Sequence, residues 1–260
     1  MDTRPIGMFD SGFGGLTVAR AMIDVLPGED LVYMGDTGRY PYGSKPLDEV
    51  KGYAVEIATA LVERFDIKLL VVACNTAAAA ALDVLEEVIG VPIVSVVEPG
   101  VRSLIAASPS GRVGVIGTVG TIRSGAYQEA VAAIADVELT CAACPGFVEF
   151  VERGETDSDQ VAVLAERLLA PLLEAEVDSL LLGCTHYPFL ARTISDAVGR
   201  DVVLVSSADE TAFAVGRMLG DSARIGRAGR HRFLSSGDVE WFRELGSRLL
   251  GPELDSVDPW

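Results

Sequence analysis

Short apolar runs alternate with longer segments of helical periodicity along the whole chain. Pro5-Ile6-Gly7-Met8-Phe9 predicts a first buried strand. Leu16, Ala19, Ile23 and Leu26 then recur at helical spacing and predict a helix over Gly14 to Leu26. Asp30-Leu31-Val32-Tyr33-Met34 predicts the next strand, and a glycine- and proline-rich loop follows from Gly35 to Lys45. Val50, Ala54, Ile57 and Leu61 share one face of a helix over Leu47 to Phe65. A Leu69–Ala73 strand, a Thr76–Ile89 helix and a Pro92–Val97 strand complete this first half.

The pattern then restarts. Arg112-Val113-Gly114-Val115-Ile116-Gly117-Thr118 matches Pro5-Ile6-Gly7-Met8-Phe9-Asp10-Ser11 at an offset of 107. A Ser124–Ile134 helix and a Val137–Ala142 strand follow. A loop and helix then run from Pro145 to Ala175, where Pro171 predicts a kink or interruption. A Ser179–Gly183 strand comes next, and Asp201–Val205 matches Val91–Ser95 at an offset of 110. Two tail helices, Asp209–Leu219 and Asp238–Leu250, close the pattern. Continuous apolar strands alternating with helices predict mostly parallel sheets covered on both faces. The expected architecture is α/β, with two similar lobes related by a pseudo-twofold internal repeat. Residues 1–97 with 209–260 form one lobe and 98–208 the other. In such sheets ligand sites lie beyond the carboxyl ends of the strands, so an active site is expected in the cleft between the lobes.

The chain has 260 residues, of which 49% are hydrophobic, enough for a sizeable core. No apolar stretch reaches the ~18 residues of a membrane span. The N-terminus lacks a basic-plus-apolar signal pattern. Both point to a cytoplasmic protein without membrane association. The net charge of −17 argues against a nucleic-acid footprint. The one basic cluster, Arg224, Arg227, Arg230, His231 and Arg232, reads as a solvated loop.

Composition does not locate the chemistry, but the strand ends do. The Leu69–Ala73 run delivers Cys74-Asn75-Thr76, and the Ser179–Gly183 run delivers Cys184-Thr185-His186 with the same layout, 110 positions later. Two matching thiols facing each other could take a proton from one face of a carbon and return one to the other. A thiol acts as a base only as thiolate, and a helix beginning after each cysteine would favour that form. Asp10, His186 and Glu152 are the nearby candidates for proton handling; an N-cap role for Asp10 and a solvated carboxylate for Glu152 are the plainer readings. Cys141 and Cys144 form a C-x-x-C, read as small structural thiols rather than half a zinc site or a redox pair, since no second ligand pair exists. Gly12-Phe13-Gly14-Gly15 lacks the lysine and spacing of phosphate loops and reads as a tight turn that aims backbone N–H groups at a carboxylate.

Four segments in order carry a resemblance: Asp10-Ser11-Gly12-Phe13-Gly14-Gly15-Leu16-Thr17-Val18, Gly35-Asp36 to Pro41-Tyr42-Gly43-Ser44, Ala73-Cys74-Asn75-Thr76-Ala77, and Gly183-Cys184-Thr185-His186-Tyr187-Pro188. Together they resemble the glutamate racemase family, over Ile6 to at least Val215, and Ser235-Ser236-Gly237-Asp238 adds to it. The wider aspartate/glutamate racemase superfamily is less similar around Asp10 and Tyr42. The resemblance implies interconversion of L- and D-glutamate without a cofactor or metal, supplying D-glutamate for peptidoglycan. It implies Cys74 as the base acting on D-glutamate and Cys184 as the base acting on L-glutamate. Asp10 and His186 would assist them, with Glu152 a further carboxylate. It assigns substrate binding to Asp10, Ser11, Pro41, Tyr42, Gly43, Ser44, Asn75, Thr76, Thr118, Thr121, Thr185 and His186. Family members are often dimers, so a homodimer is expected.

Three other readings compete: a racemase of aspartate or another small acid, an amino-acid-binding module without turnover, and a thiol hydrolase using Cys184 and His186. The hydrolase leaves Cys74 unexplained, and binding alone does not need two aligned thiols.

Overall fold

The computed structural model describes residues 2–220, 226 and 228–260. Its first half runs β1 (Ile6–Asp10), α1 (Leu16–Val25), β2 (Leu31–Gly35), α2 (Leu47–Phe65), β3 (Leu69–Val72), α3 (Asn75–Val88), β4 (Ile93–Ser95) and α4 (Val97–Ala106). The second half runs β5 (Arg112–Gly117), α5 (Val119–Arg123), α6 (Ala126–Ile134), β6 (Glu138–Ala143), α7 (Phe147–Arg153), α8 (Asp159–Glu174), β7 (Ser179–Gly183), α9 (Ala191–Val198) and β8 (Val203–Val205). The tail adds α10 (Ser207–Leu219), β9 (His231–Ser235), α11 (Val239–Leu250) and β10 (Asp258–Pro259).

Among the described residues the strands form two sheets, ordered β10-β9-β2-β1-β3-β4 and β6-β5-β7-β8. Every pairing is parallel. The duplication is visible in the order: β1 lies between β2 and β3 as β5 lies between β6 and β7, and β4 and β8 flank equivalent partners. In register, Phe9 pairs with Val72, and Gly117 pairs with Gly183. Asp10 and Cys74 therefore emerge side by side at one sheet's edge, and Thr118 and Cys184 at the other's.

Successive strand residues point to opposite faces, so Met8 enters one apolar cluster and Phe9 another. Each cluster runs from one sheet to the other: the first joins Met8 to Ile116 and Leu182, the second Phe9 to Val115 and Leu181. Helix starts follow local chemistry. Ser158, Ser206 and Asp238 accept N–H groups at the starts of α8, α10 and α11. Among the described residues no helix is long and apolar enough to cross a membrane.

Four expectations need correction. Pro171 does not interrupt α8; it sits in the last turn, and the helix ends three residues later. Helix α4 lies in a segment to which no element was assigned from sequence. The basic cluster is not a solvated loop throughout. His231 and Arg232 begin β9, which pairs with β2, and Arg232 binds Asp258 at 2.9 Å. Arg230 is exposed and faces Asp30 at 3.5 Å; Arg224 and Arg227 lie outside the described residues. Finally, no α-helix starts at Cys184. Pro188 follows within the next turn, and Tyr187–Leu190 form a short 3₁₀ turn before α9.

Candidate active site

The carboxyl ends of β1, β3, β5 and β7 meet across the cleft between the sheets. Asp10, fully buried at the end of β1, accepts the Thr185 hydroxyl on Oδ1 at 3.2 Å and the Gly12 N–H on Oδ2 at 3.4 Å. Burial raises its pKa, while the electrostatic influence of the neighbouring His186 and these donors oppose the rise. The glycine loop fits beneath the opposite lobe. A Cβ on Gly14 would come within 2.5 Å of both His186 Nδ1 and Thr185 Oγ1, so only glycine permits this approach.

Cys74 caps α3, its sulfur accepting the Ala77 N–H at 3.4 Å. Burial pushes the thiol up to about 12; the Asp10 charge adds to this, and donors from Ala77 and Ser11 work against it. Burial raises Cys184 further, with the charges of Asp10 and Cys74 contributing. In place of a helix start, the His186 and Tyr187 backbone N–H groups stabilise its thiolate. Each sulfur thus sits among N–H donors, while burial disfavours its thiolate.

Thr76, Thr118 and Thr121 form a triangle of hydroxyls with sides of 3.0, 3.1 and 2.9 Å. Thr118 caps α5, and Gly120 N–H donates to Gly43 O at 3.0 Å, tying the Tyr42-Gly43-Ser44 turn to the second sheet. Such a cluster can hold a carboxylate with neutral donors alone. The Tyr42 hydroxyl donates to Asp36 rather than into the cleft, so this residue supports the turn and offers it only backbone groups. Asp36, fully buried, also accepts Arg39 at 2.7 Å and Ser236 at 2.6 Å. Pro41 is half-buried and Ser44 exposed; neither side chain joins the cluster in this form.

His186 lies edge-on to Phe13 at 4.8 Å between centroids and faces Glu152 Oε1 at 3.8 Å from Nε2. Among the described residues its Nε2, Glu152 Oε1 and the Tyr40 hydroxyl are buried without a well-formed hydrogen bond, although Tyr40 and Glu152 interact. The Tyr40 ring is 6.0 Å from His186, and burial beside Glu152 keeps its phenol protonated. Asn75 accepts the Tyr127 hydroxyl on Oδ1 at 2.5 Å and leaves Nδ2 without a partner among the described residues. Asp36, Tyr40 and Tyr127 were not assigned roles from sequence. Asp36 and Tyr40 fall inside the Gly35–Ser44 segment, but nothing local marks Tyr127.

The duplicated α/β fold thus brings a thiol and small polar donors from each half to one cleft, the arrangement expected of a racemase. Comparison with known proteins agrees. A family model described as Asp/Glu/Hydantoin racemase matches residues 17–214. Glutamate racemase of Parafrankia sp. (strain EAN1pec) is 52% identical, covering 99% of this chain and 94% of its own. The crystal structure of glutamate racemase isoform RacE1 from Bacillus anthracis aligns with a TM-score of 0.93 at 38% identity, covering 100% of this chain and 97% of its own. That of Francisella tularensis subsp. tularensis SCHU S4 glutamate racemase, in complex with D-glutamate, aligns at 0.92 and 30% identity, covering 100% and 98%. The chain belongs to the Asp/Glu/hydantoin racemase family.

Proposed function

We propose that this protein interconverts L- and D-glutamate by two-base proton transfer, supplying D-glutamate for peptidoglycan. The observation that carries the reading is the placement of Cys74 and Cys184 at equivalent strand ends of duplicated sheets, with Asp10 and Thr185 in contact between them. In this reading the two lobes, 1–97 with 209–260 and 98–208, contribute one thiol each.

The thiolate on one side removes the α-proton. The electron pair left on Cα spreads into the α-carboxylate, and the opposite thiol delivers its proton to the other face. The sulfurs exchange protonation states and nothing else is consumed. Cys74 acts on D-glutamate and Cys184 on L-glutamate, as the resemblance implies. Asp10 and His186 assist the first and second thiols, with Glu152 behind His186. The threonine triangle and the Gly43 turn receive the side-chain carboxylate; Ser11, Asn75 and Thr185 serve the α-carbon's substituents. Donors fixed before the reaction stabilise charge moving onto the α-carboxylate. Closure strengthens them by keeping water out. The enzyme is placed in the cytoplasm and, on the family resemblance, as a homodimer.

The test is circular dichroism of L-glutamate incubated with metal-stripped, cofactor-free protein. The signal should decay to zero, with deuterium entering at Cα in heavy water. An unchanged signal from folded protein refutes the reading, and preferential turnover of aspartate would move it to another small acid.

A further inference from the structure

Tyr127 lies on α6, outside every motif in the sequence, and is fully buried. One side chain meets both thiol-bearing strand ends. Its hydroxyl donates to Oδ1 of Asn75, the residue after Cys74, at 2.5 Å. Its ring edge packs on Gly183, the residue before Cys184: a Cβ at Gly183 would lie 3.1 Å from Tyr127 Cε2. The two contacts belong to different sheets, since Asn75 follows β3 and Gly183 ends β7.

The direction of the hydrogen bond follows from burial. Desolvation holds the phenol protonated, and the charge at Cys184 acts the same way. Asn75 Oδ1 is its acceptor among the described residues. A protonated phenol with this one partner donates. The amide is therefore held with its oxygen toward Tyr127, which leaves Nδ2 beside Cys74 as a buried donor without a partner among the described residues. A flipped amide would set N–H against O–H and strand the phenol proton.

We infer that Tyr127 is a positioning residue: it presents the Asn75 N–H pair to the substrate's α-carboxylate and spaces the two thiol-bearing strand ends when the lobes close. The inference rests on the glutamate racemase reading. It also gives closure a chemical consequence, because α6 carries Tyr127 in one lobe and the amide it orients belongs to the other.

The test is a double-variant cycle with Tyr127→Phe, Asn75→Ala and both together, read as kcat and KM in both directions. Tyr127→Phe should lower kcat/KM roughly tenfold, about the effect of one hydrogen bond. The loss must be equal in the two directions, because the enantiomers have an equilibrium constant of one. It should fall mainly on kcat, with the thermal midpoint little changed. The double variant should be no slower than Asn75→Ala alone, because the hydroxyl acts through that amide. Additive losses, or full activity in Tyr127→Phe, would overturn the inference. If Tyr127→Phe does not fold, the wild-type Asn75 side-chain amide can be followed by ¹⁵N NMR. Two distinct, slowly exchanging protons that shift with D-glutamate are expected; a freely rotating amide overturns the proposal. Wild-type protein that fails to racemise glutamate would instead defeat the underlying reading.

Discussion

Thr185 donates its hydroxyl to Asp10 across the cleft at 3.2 Å, joining the turn after β7 to the end of β1, 175 positions apart in sequence. The contact closes the site over both sulfurs, Cys74 and Cys184 being 5% and 7% exposed. Closure thus has opposing effects. It aligns donors and excludes water, but it also disfavours the thiolate that must start the reaction.

This conflict sets a pH dependence. Burial raises both thiols, and we expect the active thiolate to form when water reaches the cleft. A raised pKa means that thiolate is scarce at low pH and gained as pH climbs. We expect kcat/KM to increase from pH 6 and to pass through a maximum near the ordinary thiol value of about 8.5, because one sulfur must keep its proton to deliver. Initial rates across this range check it; a flat or falling profile contradicts open-state deprotonation.

Cys74→Ser and Cys184→Ser should each reduce racemisation by roughly 10³-fold, within the usual worth of a positioned proton-transfer group. The losses should differ in character. Cys184→Ser keeps the base that acts on D-glutamate and should slowly exchange the α-proton of that enantiomer in heavy water. Cys74→Ser should exchange only that of L-glutamate. Proton NMR of the α-position distinguishes these outcomes; equal exchange of both enantiomers in either variant would reject the assignment of sides.

The strand ends were legible because a buried parallel strand must be apolar until it reaches the ligand edge, so Cys74 and Cys184 stand out against Leu69–Val72 and Ser179–Gly183. The repeat was readable for the same reason. β9 was not: His231-Arg232 looks like loop, and only β2 alongside makes it a strand. The missing helix start at Cys184 depends on one proline in the following turn. Tyr127 was invisible because an aromatic on an apolar helix face reads as core, and its hydroxyl finds a partner only across the cleft.

The opposite ends of the strands carry a structural prediction. Lys68 Nζ meets Glu29 Oε2 at 2.5 Å, both side chains 3% exposed, just before β3 and β2 begin. Breaking a buried ion pair by removing one member is destabilising. Lys68→Met should cost about 3–5 kcal/mol by urea denaturation, and adding Glu29→Leu should restore most of it. A loss of less than ~1 kcal/mol for the single variant would show a pair held too loosely to matter.

Thr76→Val removes one corner of the hydroxyl triangle while nearly preserving volume. If the triangle receives the side-chain carboxylate, KM for glutamate should rise roughly tenfold, the worth of a hydrogen bond to a charged group. The same variant should leave the rate with aspartate, whose carboxylate reaches less far, affected to a smaller degree. Parallel kinetics with the two substrates measure this. Equal effects on both would place the triangle at the α-carboxylate instead.

Gly14→Ala tests closure itself. The added methyl carbon would stand 2.5 Å from His186 Nδ1 and from Thr185 Oγ1, well inside contact distance. Neither neighbour can yield freely: Thr185 is bound to Asp10 and the His186 ring is packed edge-on against Phe13. The lobes should therefore be held apart. Turnover should fall at least tenfold, because the donors no longer converge and water remains. At the same time Cys74 and Cys184 should become wetter and more acidic, so alkylation by iodoacetamide at pH 8 should quicken relative to wild type. Slow turnover with fast alkylation is the signature of an opened cleft. Slow turnover with unchanged alkylation would mean that the methyl group disturbs His186 locally and that closure does not depend on Gly14.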